Sequence, residues 1–113
     1  MASVQRVHLF PEEALTASEV GSSKVLEPHT TDFVAWLAVS ANDGSTTVDV
    51  DIEHSADNTN FVTVDSFTTV TNATGYQELQ ITKSLLPYVR ANITLGGTPD
   101  ATVEVSLYQA IRR

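Results

Sequence analysis

Apolar and polar residues alternate along most of this chain. In "TVDVDIEH" Val48, Val50, Ile52 and His54 share one face, and Thr47, Asp49, Asp51 and Glu53 share the other. "YVRANITL" sets Val89, Ala91, Ile93 and Leu95 against Tyr88, Arg90, Asn92 and Thr94. "TVEVSLY" sets Val103, Val105 and Leu107 against Glu104, Ser106 and Tyr108, and "YQELQIT" sets Leu79 and Ile81 against Glu78 and Gln80. Successive side chains of a strand point to opposite faces. A period of two is therefore what a sheet needs when one face meets a core and the other meets water.

"DFVAWLAVSA" departs from this pattern. Phe33, Ala35, Leu37 and Val39 make one apolar face, and Val34, Trp36 and Ala38 make the other apolar as well. Such a strand is either central in its own domain or meets another chain on its second face. A short helix competes on length, but β-branched and aromatic content favours a strand.

The pattern predicts strands near residues 4–10, 23–27, 33–41, 46–54, 61–70, 75–83, 88–96 and 101–111. Residues 11–20, "PEEALTASEV", fit either a helical turn after Pro11 or a connecting strand. Turn chemistry separates the runs: "NDG" at Asn42 to Gly44 suits a tight hairpin with positive φ, and "LGGTPD" makes a second turn at Leu95 to Asp100. Pro87 can begin a strand but cannot sit inside one. Short strands at this spacing predict an all-β, single-domain antiparallel β-sandwich over 1–113, jelly-roll or immunoglobulin-like, with 1–13 as an N-terminal arm. That arm, with Val4, Val7, Leu9 and Phe10, either completes its own sheet or adds a strand to a neighbour.

Composition narrows the chemistry. A chain of 113 residues with 42% apolar residues supports one core. It has no cysteine, which excludes disulfides, thiolate metal sites and thiol catalysis. The opening "MASVQRVHLF" is too polar for a signal-peptide core, and no apolar run approaches the ~20 residues of a membrane helix. The expectation is a chain made in a cytoplasm, with no membrane association. Six Lys and Arg against 14 Asp and Glu give a net charge of −8, a poor match to a phosphate backbone, so no nucleic-acid partner is expected. The acidity serves solubility or a partner with basic patches.

The polar knot "SADNTN" between His54 and Phe61 reads first as a hairpin tip, since Asp57 and Asn58 can bond their own backbone in Asx-turns. Phe61 and Phe67 are then expected on the same side. A calcium loop would need six to eight oxygens in fixed order, and the bidentate Glu is missing. Asp49, Asp51 and Glu53 read as a solvated acidic row that discourages edge pairing. His8, His29 and His54 lack metal spacing, and His54 reads as a satisfied, partly buried imidazole. No nucleophile elbow or singled-out carboxylate pair is present. The sequons at Asn72 and Asn92 are attributed to chance. No catalytic, cofactor-binding or metal residue is assigned, and no cofactor is implied.

The segments "ALTASEVGSSKVLE", "VDVDIEHSADNTNFVTVDSFTTVT" and "LLPYVRANITLGGTPDATVEVSL" occur in an order that resembles small structural proteins of tailed-phage virions. Those share an "ALTAS" segment, an "E-SADGT-W" hairpin, a "RYVR" strand and a "GGTSP" turn before the last strand. Here Asn58 stands for the usual Gly, Phe61 for Trp, and "PYVR" at Pro87 to Arg90 for "RYVR". The resemblance implies a non-enzymatic virion component made in the host cytoplasm. Its first reading is a head decoration (cement) protein on the major capsid protein, and its second a tail or head–tail junction protein. A fainter similarity to discoidin-like carbohydrate-binding modules implies a sugar site, for which Tyr76 is the best candidate, with Tyr88 and Tyr108 on strands. A cement protein needs surface that assembly buries. The interface residues expected are Val7, Leu9, Phe10, Trp36, Tyr76, Arg112 and Arg113. The alternative for Trp36 is that it fills the interior, and the two arginines either touch an acidic lattice or fray. A symmetric homo-oligomer, a trimer at lattice three-fold positions, is the expected assembly.

Overall fold

The computed structural model describes residues 2–26 and 30–112, with side chains described within 6–26 and 33–109. These residues form β1 (Ala2–Leu15), β2 (Glu19–Val20), β3 (Lys24–Val25), β4 (Thr30–Asn42), β5 (Thr46–Ser55), β6 (Val62–Ser66), β7 (Val70–Thr71), β8 (Gly75–Ile81), β9 (Tyr88–Gly97) and β10 (Ala101–Arg112). All pairs are antiparallel. Sheet A runs β1-β10-β4-β8. Sheet B runs β2-β9-β5-β6, with β3 also on β9 and β7 also on β5.

β2 and β3 act as one interrupted strand along β9, and β6 and β7 as one interrupted strand along β5. In those terms the sheets read first-eighth-third-sixth and second-seventh-fourth-fifth. That is the double Greek key of a jelly roll. An immunoglobulin-like order would pair the first strand with the second. Here β1 lies instead along the last strand, from Ala2 opposite Arg112 to Leu15 opposite Ala101. The arm segment thus lies along its own chain's sheet.

Residues 11–15 continue β1 rather than forming a helical turn. Register shifts between His8 and Phe10 and between Phe10 and Glu13 admit Pro11, which has no N–H to give a ladder, at an irregular point of an edge strand.

The alternating faces meet as the sequence predicts. Phe33, Ala35, Leu37 and Val39 of β4, with Val103, Val105 and Leu107 of β10, pack against Val48, Val50 and Ile52 of β5 and Val89, Ala91 and Ile93 of β9. Each buried Val, Leu, Ile or Phe among these contributes roughly 1.5–3 kcal/mol by leaving water.

Two expectations need correction. The "NDG" turn does not close a hairpin, because β4 lies in sheet A and β5 in sheet B. It is a corner between layers. The Asn42 side-chain amide donates to the carbonyls of Thr46 and Ala73 at 3.0 and 3.1 Å, and Gly44 turns at φ +89°. The β9–β10 turn is stitched to it: Thr98 N–H donates to the Ser45 carbonyl at 3.3 Å, and Asp43 N–H to the Asp100 carbonyl at 3.1 Å. Gly97, at φ +79°, packs so closely that an added Cβ would lie 2.0 Å from the Ser45 oxygen.

Phe61 and Phe67 also part company. A register shift opposite Ile52 and Glu53 inverts the phase of β6. Phe67 enters the core, whereas Phe61 lies over Arg90 on the outer face of sheet B.

Candidate functional site

The knot after His54 is a hairpin tip between paired strands β5 and β6. Asp57 Oδ1 accepts from the Thr59 and Asn60 N–H groups at 3.0 and 2.8 Å and from the Ser55 hydroxyl at 2.8 Å. Its Oδ2 accepts from the Asn60 side-chain amide at 2.7 Å. These donors, Asn60 N–H foremost, hold its carboxyl far below the ordinary carboxylate range. Asn58 takes φ +61°, the left-handed geometry Asn tolerates, and its Oδ1 accepts from the Ser23 hydroxyl at 2.6 Å. The Asp57 oxygens are spent within the loop, and the Asn58 oxygen on Ser23. Among the described residues no three His, Cys, Asp or Glu side chains converge as a metal site.

The acidic row is not a uniformly solvated face. Asp51 accepts from the Ser66 hydroxyl at 2.6 Å, and Asp49 from the Thr69 hydroxyl. Glu53 is buried, paired with Arg90 Nε at 2.7 Å and with the Asn92 amide at 3.1 Å. Phe61 caps the guanidinium at 3.8 Å from its centroid. The register sets this up, since Glu53 stands directly opposite Arg90.

His54 is half-buried, and its Nδ1 accepts from the Leu86 N–H at 3.0 Å. Burial first, then the charge of Lys83, pushes its pKa down. His29 lies outside the described residues.

The second apolar face of β4 becomes the outer face of sheet A. Trp36 lies half-buried there, stacked on Tyr76 of β8 with ring centroids 5.7 Å apart and planes at 24°. Tyr76 is 67% exposed. Val34 and Tyr108, both half-buried, share the face. At its far side Arg6 donates to Ser106 Oγ at 3.3 Å and Glu104 Oε2 at 3.2 Å, and lies 5.9 Å from the Tyr108 ring centroid.

Of the expected interface residues, the fold brings together Trp36 and Tyr76. Leu9 and Phe10 are a correction: at 1% and 2% exposed they are committed to this chain's own core, because the register shift between His8 and Phe10 lets both neighbouring side chains turn inward. Val7 packs against the same core. Arg112 is described in its backbone, opposite Ala2, and Arg113 lies outside the described residues. Sequence reasoning named Tyr108 only beside Tyr76 in the sugar-site reading, not among the interface residues, and missed Arg6. Tyr108 sits on the polar phase of its run, which was the available signal.

The architecture defines the chain as a double-sheet jelly roll with one aromatic outer face. No family model matches the sequence, and no curated protein matches it. Solved structures share the fold. SPBc2 prophage-derived protein YomS superposes with a TM-score of 0.60 at 16% identity, over 96% of this chain and 95% of that one. PBSX exported protein XepA gives 0.62 at 14% identity, over all of this chain but 38% of its own. VP2 of an infectious bursal disease virus subviral particle gives 0.60 at 11%, over 98% of this chain and 33% of its own. At these identities the likeness is one of fold.

Proposed function

We propose that this protein is a non-enzymatic structural component of a tailed-phage virion, and within it a decoration protein that bridges major capsid subunits. The observation that carries the reading is the Trp36–Tyr76 stack on the outer face of sheet A, an aromatic pair whose Tyr76 is exposed in the single chain. Trp and Tyr bury large area at small entropic cost and dominate protein interfaces. The virion setting draws support from the fold likeness to a prophage-derived protein of nearly the same extent and to a viral VP2. Each copy, within a symmetric homo-oligomer such as a trimer, would bind only the assembled shell. Mass action over many copies then opposes disassembly.

The test is to heat particles assembled with and without this chain and to follow genome release. Loss of the chain lowers the release temperature, and adding back purified protein restores it. Tyr76→Ala, at an exposed position, folds but fails to restore it. Particles that survive heating equally well without the chain would remove the main support. The exposed Tyr76 also favours a second reading, a carbohydrate-binding module. A saturable glycan-array signal lost in Tyr76→Ala, with no binding to particles, would put that reading first.

A further inference from the structure

The two sheets expose four edges, and three are blunted. β1 carries two register shifts and Pro11. β2 and β3 are two residues each. β6 has five residues and faces a register shift, and β7 has two. β8 is the exception. It runs seven residues with no Pro or Lys, and its register to β4 is unbroken from Gly75 opposite Val39 to Ile81 opposite Phe33. Among the described residues, no strand but β4 pairs with it. A regular, unblunted edge is a template for another extended chain, and soluble proteins ordinarily spoil it.

The edge is also held in place without using its outer main-chain groups. The Gln77 side chain, on the inner phase of β8, accepts from Thr68 N–H at 3.0 Å and donates to the Thr68 carbonyl at 2.8 Å. The outer phase presents Tyr76, Glu78 and Gln80, all exposed. Tyr76 therefore joins the edge to the Trp36 face.

We infer that the free edge of β8 is a strand-addition site for an extended, basic segment of a partner protein. Main-chain pairing supplies the affinity, and alternate side chains supply the choice of partner. Charge selects the occupant. Glu78 stands at the centre of the outer phase of a chain whose net charge is −8. A two-fold pairing with a second β8 in full overlap would set Glu78 against Glu78, which is destabilising, whereas a Lys or Arg opposite Glu78 is stabilising. The inference rests on the proposed function only in taking the natural partner to be another virion protein.

The probe is a capped synthetic heptapeptide alternating valine and lysine. It is titrated into the full chain while following the emission of Trp36, the only tryptophan, which stacks on β8 through Tyr76. Saturable binding is expected, with slowed amide exchange along β8. A backbone N-methylated copy of the peptide should fail to bind. Glu78→Lys should weaken the basic peptide roughly three- to tenfold and favour a valine–glutamate peptide instead. Absence of saturable binding, equal binding of the N-methylated peptide, or an unchanged preference in Glu78→Lys overturns the inference. So does a disulfide-linked dimer of Glu78→Cys in this cysteine-free chain, since position 78 faces itself in that pairing, matched by a dimer of the unsubstituted protein in sedimentation, because a second copy would then own the edge. The peptide assay needs no particles, so its failure and the failure of the heating test are separate results.

Discussion

Replacing Arg90 by Met keeps the aliphatic stem beside Phe61 and removes the charge that partners Glu53. The change leaves a carboxylate, only 9% exposed, with the Asn92 amide as its remaining partner. Orphaning a fully buried charge costs about 3–5 kcal/mol. The Arg90 side chain is 29% exposed, so water reaches the gap and the cost falls to roughly 2 kcal/mol. Loss of the guanidinium over the Phe61 ring adds about 0.5–1 kcal/mol. The expected total, about 2.5–3 kcal/mol, is a large share of the roughly 5–15 kcal/mol that stabilises an ordinary domain, and corresponds to a fall of roughly 10–20 °C in Tm. Urea unfolding followed by Trp36 fluorescence measures it, with the slope in urea unchanged. Glu53→Gln added to Arg90→Met should recover at least about 1 kcal/mol, since no orphan charge remains. A cost within about 0.5 kcal/mol for Arg90→Met, or strict additivity in the double variant, would refute the reasoning.

Other outcomes follow from the same geometry. The folded state lowers the pKa of His54, so the unfolded chain binds its proton first. Stability is full above the unfolded value of about 6.5 and declines as pH falls from there toward the lower folded value. His54→Gln, which can still accept the Leu86 N–H, should flatten that part of the pH profile in denaturation midpoints. Asp57 should stay ionised in carbon-detected NMR titration well below the ordinary Asp value of about 3.9. Its contribution is present above that pH and is lost as pH falls through the folded pKa. Gly97→Ala should lower the unfolding free energy from urea denaturation by more than the ~1 kcal/mol of a left-handed alanine alone, because the Ser45 carbonyl must also move; a smaller loss would mean that the corner yields freely.

Much of the fold was legible because alternation reports faces directly. Val48, Val50 and Ile52, and Val89, Ala91 and Ile93, are buried as their phase requires. Alternation does not report which strand lies beside which. The jelly-roll order rests on β1 meeting β10 across almost the whole chain, a pairing that no local pattern encodes. Turn chemistry is equally silent on whether a turn joins neighbours or layers, and so the "NDG" corner reads as a hairpin. Glu53 shows the limit for sites. Its polar phase is correct, yet Phe61 and Arg90 cover it from the same outer side. The two-sided apolar pattern of β4 did mark the aromatic face. The stacking of Tyr76 on Trp36 depends on β8 lying next to β4, a placement visible only in three dimensions.

The adjacency of β1 and β10 bears on how a ribosome-bound chain matures. β10 is an inner strand of its sheet and is synthesised after every other strand of that sheet, so β1 waits unpaired until residues 101–112 have emerged. Layer B, by contrast, can form its β5–β6 hairpin early and then add β9. Completion of this sheet should therefore be late, slow and sensitive to truncation within residues 101–112, with nascent chains depending on chaperones over that interval.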